Sequence, residues 1–121
     1  MARILIVDDS PTDTHVLKTM LERNKHETVA VIDGERGITA ASAERPDLIL
    51  MDVVLPGISG FQATRQITKN PDTAAIPVII ITTKDQETDR IWGLRQGAKD
   101  YITKPVSEAE LMSKIKSVLG G

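Results

Sequence analysis

The sequence predicts an α/β fold, a doubly wound five-stranded parallel sheet covered by helices on both faces in a three-layer sandwich. Short, continuous apolar runs recur along the chain, and such runs are typical of strands buried on both sides of a parallel sheet. The segments between them carry apolar residues at helical spacing. Because strands and helices alternate throughout, the connections are expected to be right-handed crossovers between parallel strands.

The first strand is predicted at residues 4–7, which are uniformly apolar. A helix should begin after Ser10, because Pro11 suits a first helical position and Ser10 with Asp13 forms a capping-box pattern. The apolar stripe of this helix consists of Val16, Leu17, Met20 and Leu21.

The second strand is predicted at residues 28–32, a run rich in β-branched side chains. A helix over 34–44 follows and ends before Pro46, which cannot continue it. The residues at helical spacing in this segment are Ile38, Ala41 and Ser42. The third strand is predicted at residues 48–51.

The third helix is short and ends near Asn70 and Pro71. Its apolar positions are Phe61, Ala63, Thr64 and Ile67. The fourth strand is predicted at residues 78–81, where four β-branched residues follow one another.

The fourth helix is predicted over 85–96, with Ile91 and Leu94 facing inward and Gly97 as its C-terminal stop. The fifth strand is predicted at residues 100–103. Ser107 and Glu110 then form the capping pattern of a fifth helix. The apolar stripe of this last helix consists of Leu111, Ile115, Val118 and Leu119.

Composition narrows the class of protein. A chain of 121 residues predicts a single domain, residues 1–121, with no output domain attached. The absence of cysteine excludes a disulfide scaffold, a thiolate zinc site and a cysteine nucleophile. A net charge of −2 and only three aromatic residues argue against nucleic acid as a partner. Without a signal peptide or a long apolar run, we expect a cytoplasmic protein that does not insert into membranes.

Polar residues follow the carboxyl ends of four predicted strands, where open α/β sheets bind their ligands. They are Asp8, Asp9, Asp52, Thr82, Thr83 and Lys104. Any one of these residues alone is typical of a turn or a helix cap, so it is their convergence at one sheet edge that matters. Three neighbouring carboxylates repel one another unless a cation intervenes, and oxygen ligands suit Mg²⁺. With Mg²⁺ and Lys104 neutralising a phosphoryl group, Asp52 could act as a nucleophile.

These residues lie in segments that resemble the receiver domain of two-component response regulators, the CheY-like family with a flavodoxin-like fold. The matching segments are 4–10, 46–60, 77–83 and 97–105, so the resemblance covers the whole chain. It implies that Asp52 accepts the phosphoryl group.

The same resemblance assigns the metal ligands. Asp9 would bind Mg²⁺ directly, Asp8 would act through a water molecule, and Asp52 would complete the carboxylate set. Val54 would contribute its backbone carbonyl, although the family often has Met at this position.

The resemblance also assigns the residues that sense the phosphoryl group. Thr82 would supply the switch hydroxyl, Thr83 a backbone contact and Lys104 the phosphate-binding ammonium. The Lys104–Pro105 peptide bond is expected to be cis. Tyr101 would be the switch aromatic that turns inward. Thr83 departs from the family, which usually has Ala or Gly there.

The implied function is that of a stand-alone response regulator phosphorylated by a histidine kinase of the CheA type. Phosphorylation would reshape the face made by the fourth helix, the fifth strand and the fifth helix, to control a partner or to form a dimer. Residues 60–106 resemble receivers of chemotaxis-like systems that control type IV pili, which implies twitching motility and a link to the pilus motor machinery. Trp92 is either at the edge of the core or an exposed anchor for a partner.

Three other functions are weighed. A receiver of this kind could act as a phosphate sink in the same pathway. A small Mg²⁺ phosphohydrolase with an aspartyl nucleophile would have a second Asp two residues after the nucleophile, where this chain has Val54. A flavodoxin-like electron carrier would have a Ser-, Thr- and Gly-rich loop after the first strand, where Asp8 and Asp9 stand instead.

Overall fold

The computed structural model describes residues 1–120, which fold into a parallel five-stranded sheet with helices between the strands. The strands are β1 Arg3–Val7, β2 Glu27–Val31, β3 Leu48–Met51, β4 Val78–Thr82 and β5 Asp100–Thr103. The helices are α1 Pro11–Arg23, α2 Gly34–Glu44, α3 Gly60–Lys69, α4 Glu87–Arg95 and α5 Glu108–Leu119. The predicted fold class is confirmed, and the predicted bounds of α2, β3 and β5 agree with the structure.

The strand order is β2-β1-β3-β4-β5, and every neighbouring pair is parallel. In this order the chain moves first to one side of β1 and then to the other, so the sheet has a switch point at β1 and β3. Leu5 is paired with Val29 on one side and with Ile49 on the other. The carboxyl ends of β1 and β3 therefore lie side by side, which is where a ligand site is expected.

Alternate residues of the central strands enter two separate cores, one on each face of the sheet. On one face Ile4 and Ile6 pack with residues of α1 and α5 such as Leu21 and Leu111. On the other face Leu5 packs with residues of α2 and α3. This explains why the runs are continuously apolar, since a strand covered on both sides has no solvent-facing positions.

The predicted caps begin the helices as expected. Ser10 accepts a hydrogen bond from the Asp13 amide, and Ser107 accepts one from the Glu110 amide, each at 3.2 Å. The reciprocal half of the predicted capping box at α1 is not formed, because the Asp13 carboxylate contacts Lys104 instead. A complete capping box begins α3 at Ser59, and sequence analysis had not singled it out.

The inward face of α4 differs from the prediction. Ile91 and Leu94 were expected to face inward, yet they are 42% and 37% exposed, while Gly93 and Gln96 are buried. A Cβ atom on Gly93 would lie 2.7 Å from the Ile80 side chain, so the glycine allows the helix to lie close against β4. The apolar residues are consequently turned outward, and Trp92 is 50% exposed with them.

Two further expectations fail at the margins of the fold. The β2 strand was predicted to be buried on both faces, but it lies at the sheet edge and is only partly buried. Val16 and Leu119 belong to the predicted apolar stripes of α1 and α5, yet they are 42% and 38% exposed. Within residues 1–120, no helix has the length and apolar character that crossing a membrane would require.

Candidate functional site

Four strands deliver the predicted site residues to one edge of the sheet. Asp8 follows β1, Asp52 follows β3, Thr82 ends β4 and Lys104 follows β5. Backbone hydrogen bonds extend the sheet past its formal ends, since the Asp8 amide donates to Val31 at 3.1 Å and the Lys104 amide donates to Thr82 at 2.8 Å. The Asp52 amide likewise donates to the carbonyl of the last β1 residue at 2.9 Å. Backbone hydrogen bonds of the sheet therefore hold Asp8, Asp52 and Lys104 in position.

Three carboxylates converge as predicted. One oxygen each from Asp8, Asp9 and Asp52 lies within 4.8 Å of the others. Asp8 and Asp52 are buried, whereas Asp9 is exposed and leaves one side of the cluster open to solvent. A set of oxygen donors with an open side fits Mg²⁺, which retains several water ligands. A groove of about 300 Å³ adjoins Asp8 and Asp9 and is also lined by His15 and Lys18 of α1.

The two oxygens of Asp52 have different surroundings. Oδ1 accepts the backbone amide of Val53 at 2.7 Å and that of Val54 at 3.4 Å. Oδ2 accepts only the Lys104 ammonium, at 3.0 Å. The two amides orient the carboxylate group, and Oδ2 is directed at the Lys104 ammonium. Val54 itself is 57% exposed at the rim of the site.

Gly60 allows α3 to begin directly against the backbone of Asp52. A Cβ atom at this position would lie 1.9 Å from the Asp52 carbonyl oxygen and 2.8 Å from the Val53 Cα. The Gly60 amide also donates to the Val53 carbonyl at 2.9 Å. This role is not visible in the sequence, because a glycine after a helix cap gives no sign of which distant backbone it approaches.

The Lys104 ammonium is bound by three carboxylates at once. Nζ donates to Asp8 at 2.9 Å, to Asp13 at 2.7 Å and to Asp52 at 3.0 Å. Asp13 is the site residue that sequence analysis missed: its spacing from Ser10 indicated only a helix cap. Its contact with a lysine that lies far away in the chain is visible only after folding.

The electrostatics of this cluster favour a charged lysine. Burial acts to lower the pKa of Lys104, but the hydrogen bonds that its ammonium donates to Asp13, Asp8 and Asp52 outweigh it and raise the pKa above its usual value. Burial raises the pKa of Asp8, and its bonds from Lys104 and from the Ser10 amide offset only part of that rise. The four carboxylates near one ammonium leave a net negative site, which attracts a divalent cation.

Thr82 and Thr83 differ in their surroundings although they are adjacent. Thr82 is fully buried, and its hydroxyl oxygen accepts the Lys84 amide at 3.4 Å. Thr83 is exposed at the mouth of the site.

Tyr101 points into the molecule and is 5% exposed. Its hydroxyl donates to the carbonyl of Lys84 at 2.7 Å, which ties β5 to the loop that precedes α4. Burial, together with the nearby carboxylates of Asp89, Asp52 and Asp85, raises the pKa of Tyr101 to about 12. The Lys104–Pro105 bond is cis, as the resemblance implied.

Comparison with known proteins decides the family. The family model described as the response regulator receiver domain matches residues 4–116. The chain belongs to this family. The resemblance identified in the sequence is therefore confirmed. The chain is assigned neither to the phosphohydrolases nor to the flavodoxin-like electron carriers.

Receivers with curated names are similar along the whole chain. Protein PilH from Pseudomonas aeruginosa is 59% identical over 121 residues, which is 100% of both chains. The response regulator PleD from Caulobacter vibrioides is 38% identical over 117 residues, which is 97% of this chain but 26% of PleD.

Solved receiver structures are similar in fold. A CheY-like response regulator receiver domain protein from Methanospirillum hungatei has a TM-score of 0.91 and 29% identity, and the match covers 99% of this chain and 94% of that one. The receiver domain of a sensor histidine kinase from Pseudomonas aeruginosa, with a magnesium ion coordinated in the active site cleft, has a TM-score of 0.91 and 33% identity. That match covers 99% of this chain and 98% of the other.

Proposed function

We propose that this receiver is a stand-alone response regulator, one domain over residues 1–121, that accepts a phosphoryl group on Asp52 from a histidine kinase. The observation that carries the proposal is the orientation of Asp52. Two backbone amides hold its Oδ1, while its Oδ2 faces Lys104 inside the carboxylate cluster. The proposed acceptor oxygen therefore faces the ammonium that would pair with a phosphoryl oxygen.

In this reaction Oδ2 of Asp52 attacks phosphorus and forms an acyl phosphate. The bond between phosphorus and the donor imidazole nitrogen breaks, and its electron pair stays with the imidazole. Lys104 pairs with one phosphoryl oxygen, since its ammonium already lies 3.0 Å from Oδ2. The charge of this ammonium stabilises the negative charge on the phosphoryl oxygens during transfer.

The carboxylate oxygens of Asp8, Asp9 and Asp52 fit a divalent ion, and we propose Mg²⁺. Asp9 and Asp52 would bind it directly, Asp8 through water, and Val54 through its backbone carbonyl. When bound, the ion supplies positive charge that neutralises the phosphoryl oxygens. The magnesium in the cleft of the kinase receiver at 33% identity supports this assignment.

The phosphorylated state would be read through Thr82, Thr83 and Tyr101. The Thr82 hydroxyl and the Thr83 amide would bind the phosphoryl oxygens, drawing the β4–α4 loop inward. Tyr101 is hydrogen-bonded to that loop through the Lys84 carbonyl, so a loop movement would be transmitted to β5. The output is then a shift between two packings of the face formed by α4, β5 and α5.

The outward face of α4 supports this output surface. Ile91, Trp92 and Leu94 are each more than a third exposed and lie within one turn of the helix. Tryptophan is one of the residue types that are enriched at the energetic centres of protein interfaces. We propose that Trp92 belongs to the surface that the downstream protein binds, or to a dimer that forms on phosphorylation.

The pathway we propose is type IV pilus motility, with a kinase of the CheA type as phosphodonor and the pilus motor machinery downstream, all in the cytoplasm. The support is the 59% identity to PilH along all of both chains. A Pseudomonas aeruginosa strain lacking PilH should recover normal twitching when given this chain but not its Asp52→Asn variant. Equal recovery by both would contradict a role for phosphorylation in that pathway.

The phosphoacceptor is tested by incubating the protein with acetyl phosphate and Mg²⁺ and measuring intact mass. We expect one added phosphoryl group, none with Asp52→Asn, and none when the divalent ion is chelated. Asp72→Asn is the matched control, because Asp72 is exposed and lies outside the site. A phosphoryl group that still appears on the Asp52→Asn variant would refute the assignment.

A further inference from the structure

Lys104 and a divalent cation depend on the same two carboxylates, those of Asp8 and Asp52. The ammonium uses all three of its protons, and two of them go to Oδ2 of Asp8 and Oδ2 of Asp52. Asp8 and Asp52 are also members of the carboxylate cluster that fits a metal. A cation entering the cluster therefore repels the ammonium and takes acceptors away from it.

The third acceptor is of a different kind. Asp13 lies outside the carboxylate cluster, yet it makes the shortest of the three contacts, at 2.7 Å. Its side chain is 42% exposed, against 2% for Asp8 and 10% for Asp52. An ammonium held there can recover hydration, whereas one held between the two buried carboxylates cannot.

The surroundings of Asp13 hold its backbone in place and leave space beside the Lys104 ammonium. Its backbone amide is bound to the Ser10 hydroxyl at the start of α1, so the residue cannot drift away from the site. A groove of about 160 Å³ adjoins Asp13 and Lys104 and is otherwise lined by Val16, Leu17, Pro105 and Val106. The ammonium can therefore move toward Asp13 without displacing a packed side chain.

We propose that Asp13 is a positioning residue that receives the Lys104 ammonium when a divalent cation enters the carboxylate cluster. It reduces the competition between the two cations and keeps Lys104 at the rim of the site, within reach of a phosphoryl oxygen. Asp13 acts through Lys104 and does not itself bind the cation. This inference rests on the proposed metal site.

The experiment is a calorimetric Mg²⁺ titration of four proteins, namely the wild type, Asp13→Asn, Lys104→Met and the double variant. Asparagine keeps the shape of the side chain. It also keeps the hydrogen bond from the backbone amide of residue 13 to the Ser10 hydroxyl, so α1 should be unaffected. We expect Asp13→Asn to weaken Mg²⁺ binding about tenfold and Lys104→Met to strengthen it. In the Lys104→Met background the same Asp13 substitution should change the affinity less than about twofold.

The double variant distinguishes the positioning of Lys104 by Asp13 from a direct attraction between the Asp13 charge and Mg²⁺. A loss of the same size in both backgrounds would overturn the proposal, because it would mean that Asp13 acts only by its negative charge. An unchanged affinity in Asp13→Asn alone would also overturn it. Asp13→Glu should restore the wild-type affinity, and Asp72→Asn, which removes the same charge at an exposed position, should not change it.

The proposed function fails in a different way. A wild-type protein that does not bind Mg²⁺ would overturn the metal site and this inference together. Normal wild-type binding with equal losses in both backgrounds would overturn only the role of Asp13.

Discussion

Replacing Lys104 by methionine should destabilise the metal-free protein strongly. The side chain of Lys104 is 11% exposed and pairs with Asp8 and Asp52, whose side chains are 2% and 10% exposed. Methionine occupies a similar volume but leaves both Oδ2 atoms without a donor and two buried carboxylates facing each other. Removing one partner of a buried ion pair costs about 3–5 kcal/mol. Because the cluster is open on its Asp9 side, we expect about 3 kcal/mol.

The assay is urea denaturation at neutral pH with a chelator present. A loss of about 3 kcal/mol lowers the denaturation midpoint by about 1.5 M for a typical dependence on urea of about 2 kcal/mol per molar. At one Mg²⁺ concentration far above both dissociation constants, the variant should recover part of this loss relative to the wild type. The recovery equals RT ln of the ratio of the two dissociation constants, because the variant is expected to bind Mg²⁺ more tightly.

Lys114→Met is the matched control. Lys114 forms one ion pair with Asp100 at 3.1 Å, and both side chains are about a quarter exposed. That pair should contribute at most about 1 kcal/mol, and its loss should not respond to Mg²⁺. If Lys104→Met were no less stable than Lys114→Met, the three contacts of Lys104 would not bear on stability and the reasoning would be refuted.

Three other predictions follow from single contacts. Gly60→Ala should lower the free energy of unfolding, measured by urea denaturation, by about 3 kcal/mol. The reason is that the added Cβ atom would lie 1.9 Å from the Asp52 carbonyl oxygen. An unchanged free energy of unfolding would contradict that contact. Tyr101 is the one tyrosine of the chain, so tyrosinate absorbance should titrate with a pKa of about 12, and a midpoint near the ordinary 10 would show an exposed ring. Burial and the N-terminal ammonium lower the pKa of His26, whose Nδ1 accepts the Ala2 amide at 3.0 Å. The contribution of the neutral His26 imidazole to the free energy of unfolding should therefore be complete above about pH 6.5 and decline as the pH falls. His26→Gln should flatten this part of the plot of stability against pH.

Much of the fold could be predicted because its signals are local. Continuous apolar runs mark strands covered on both faces, and Ser10 and Ser107 mark helix starts by hydrogen bonds within one turn. The orientation of α4 could not be predicted, since Gly93 faces inward only because β4 leaves no room for a Cβ atom. The half-buried state of β2 also depends on strand order, which no local pattern encodes.

The order of residues along the chain was enough to predict which side chains stand at the carboxyl ends of the strands, and so which carboxylates, hydroxyls and ammonium could meet. The strand ends share one edge in any parallel sheet, so the convergence of Asp8, Asp52 and Lys104 followed from pattern alone. How these groups share their hydrogen bonds depends on the packing of the folded chain. The third Lys104 acceptor, Asp13, comes from the first turn of α1, because packing of that helix brings its N-terminus to the loop after β5. Such contacts depend on distances between elements far apart in the chain, and those distances are set by packing and not by local residue preference.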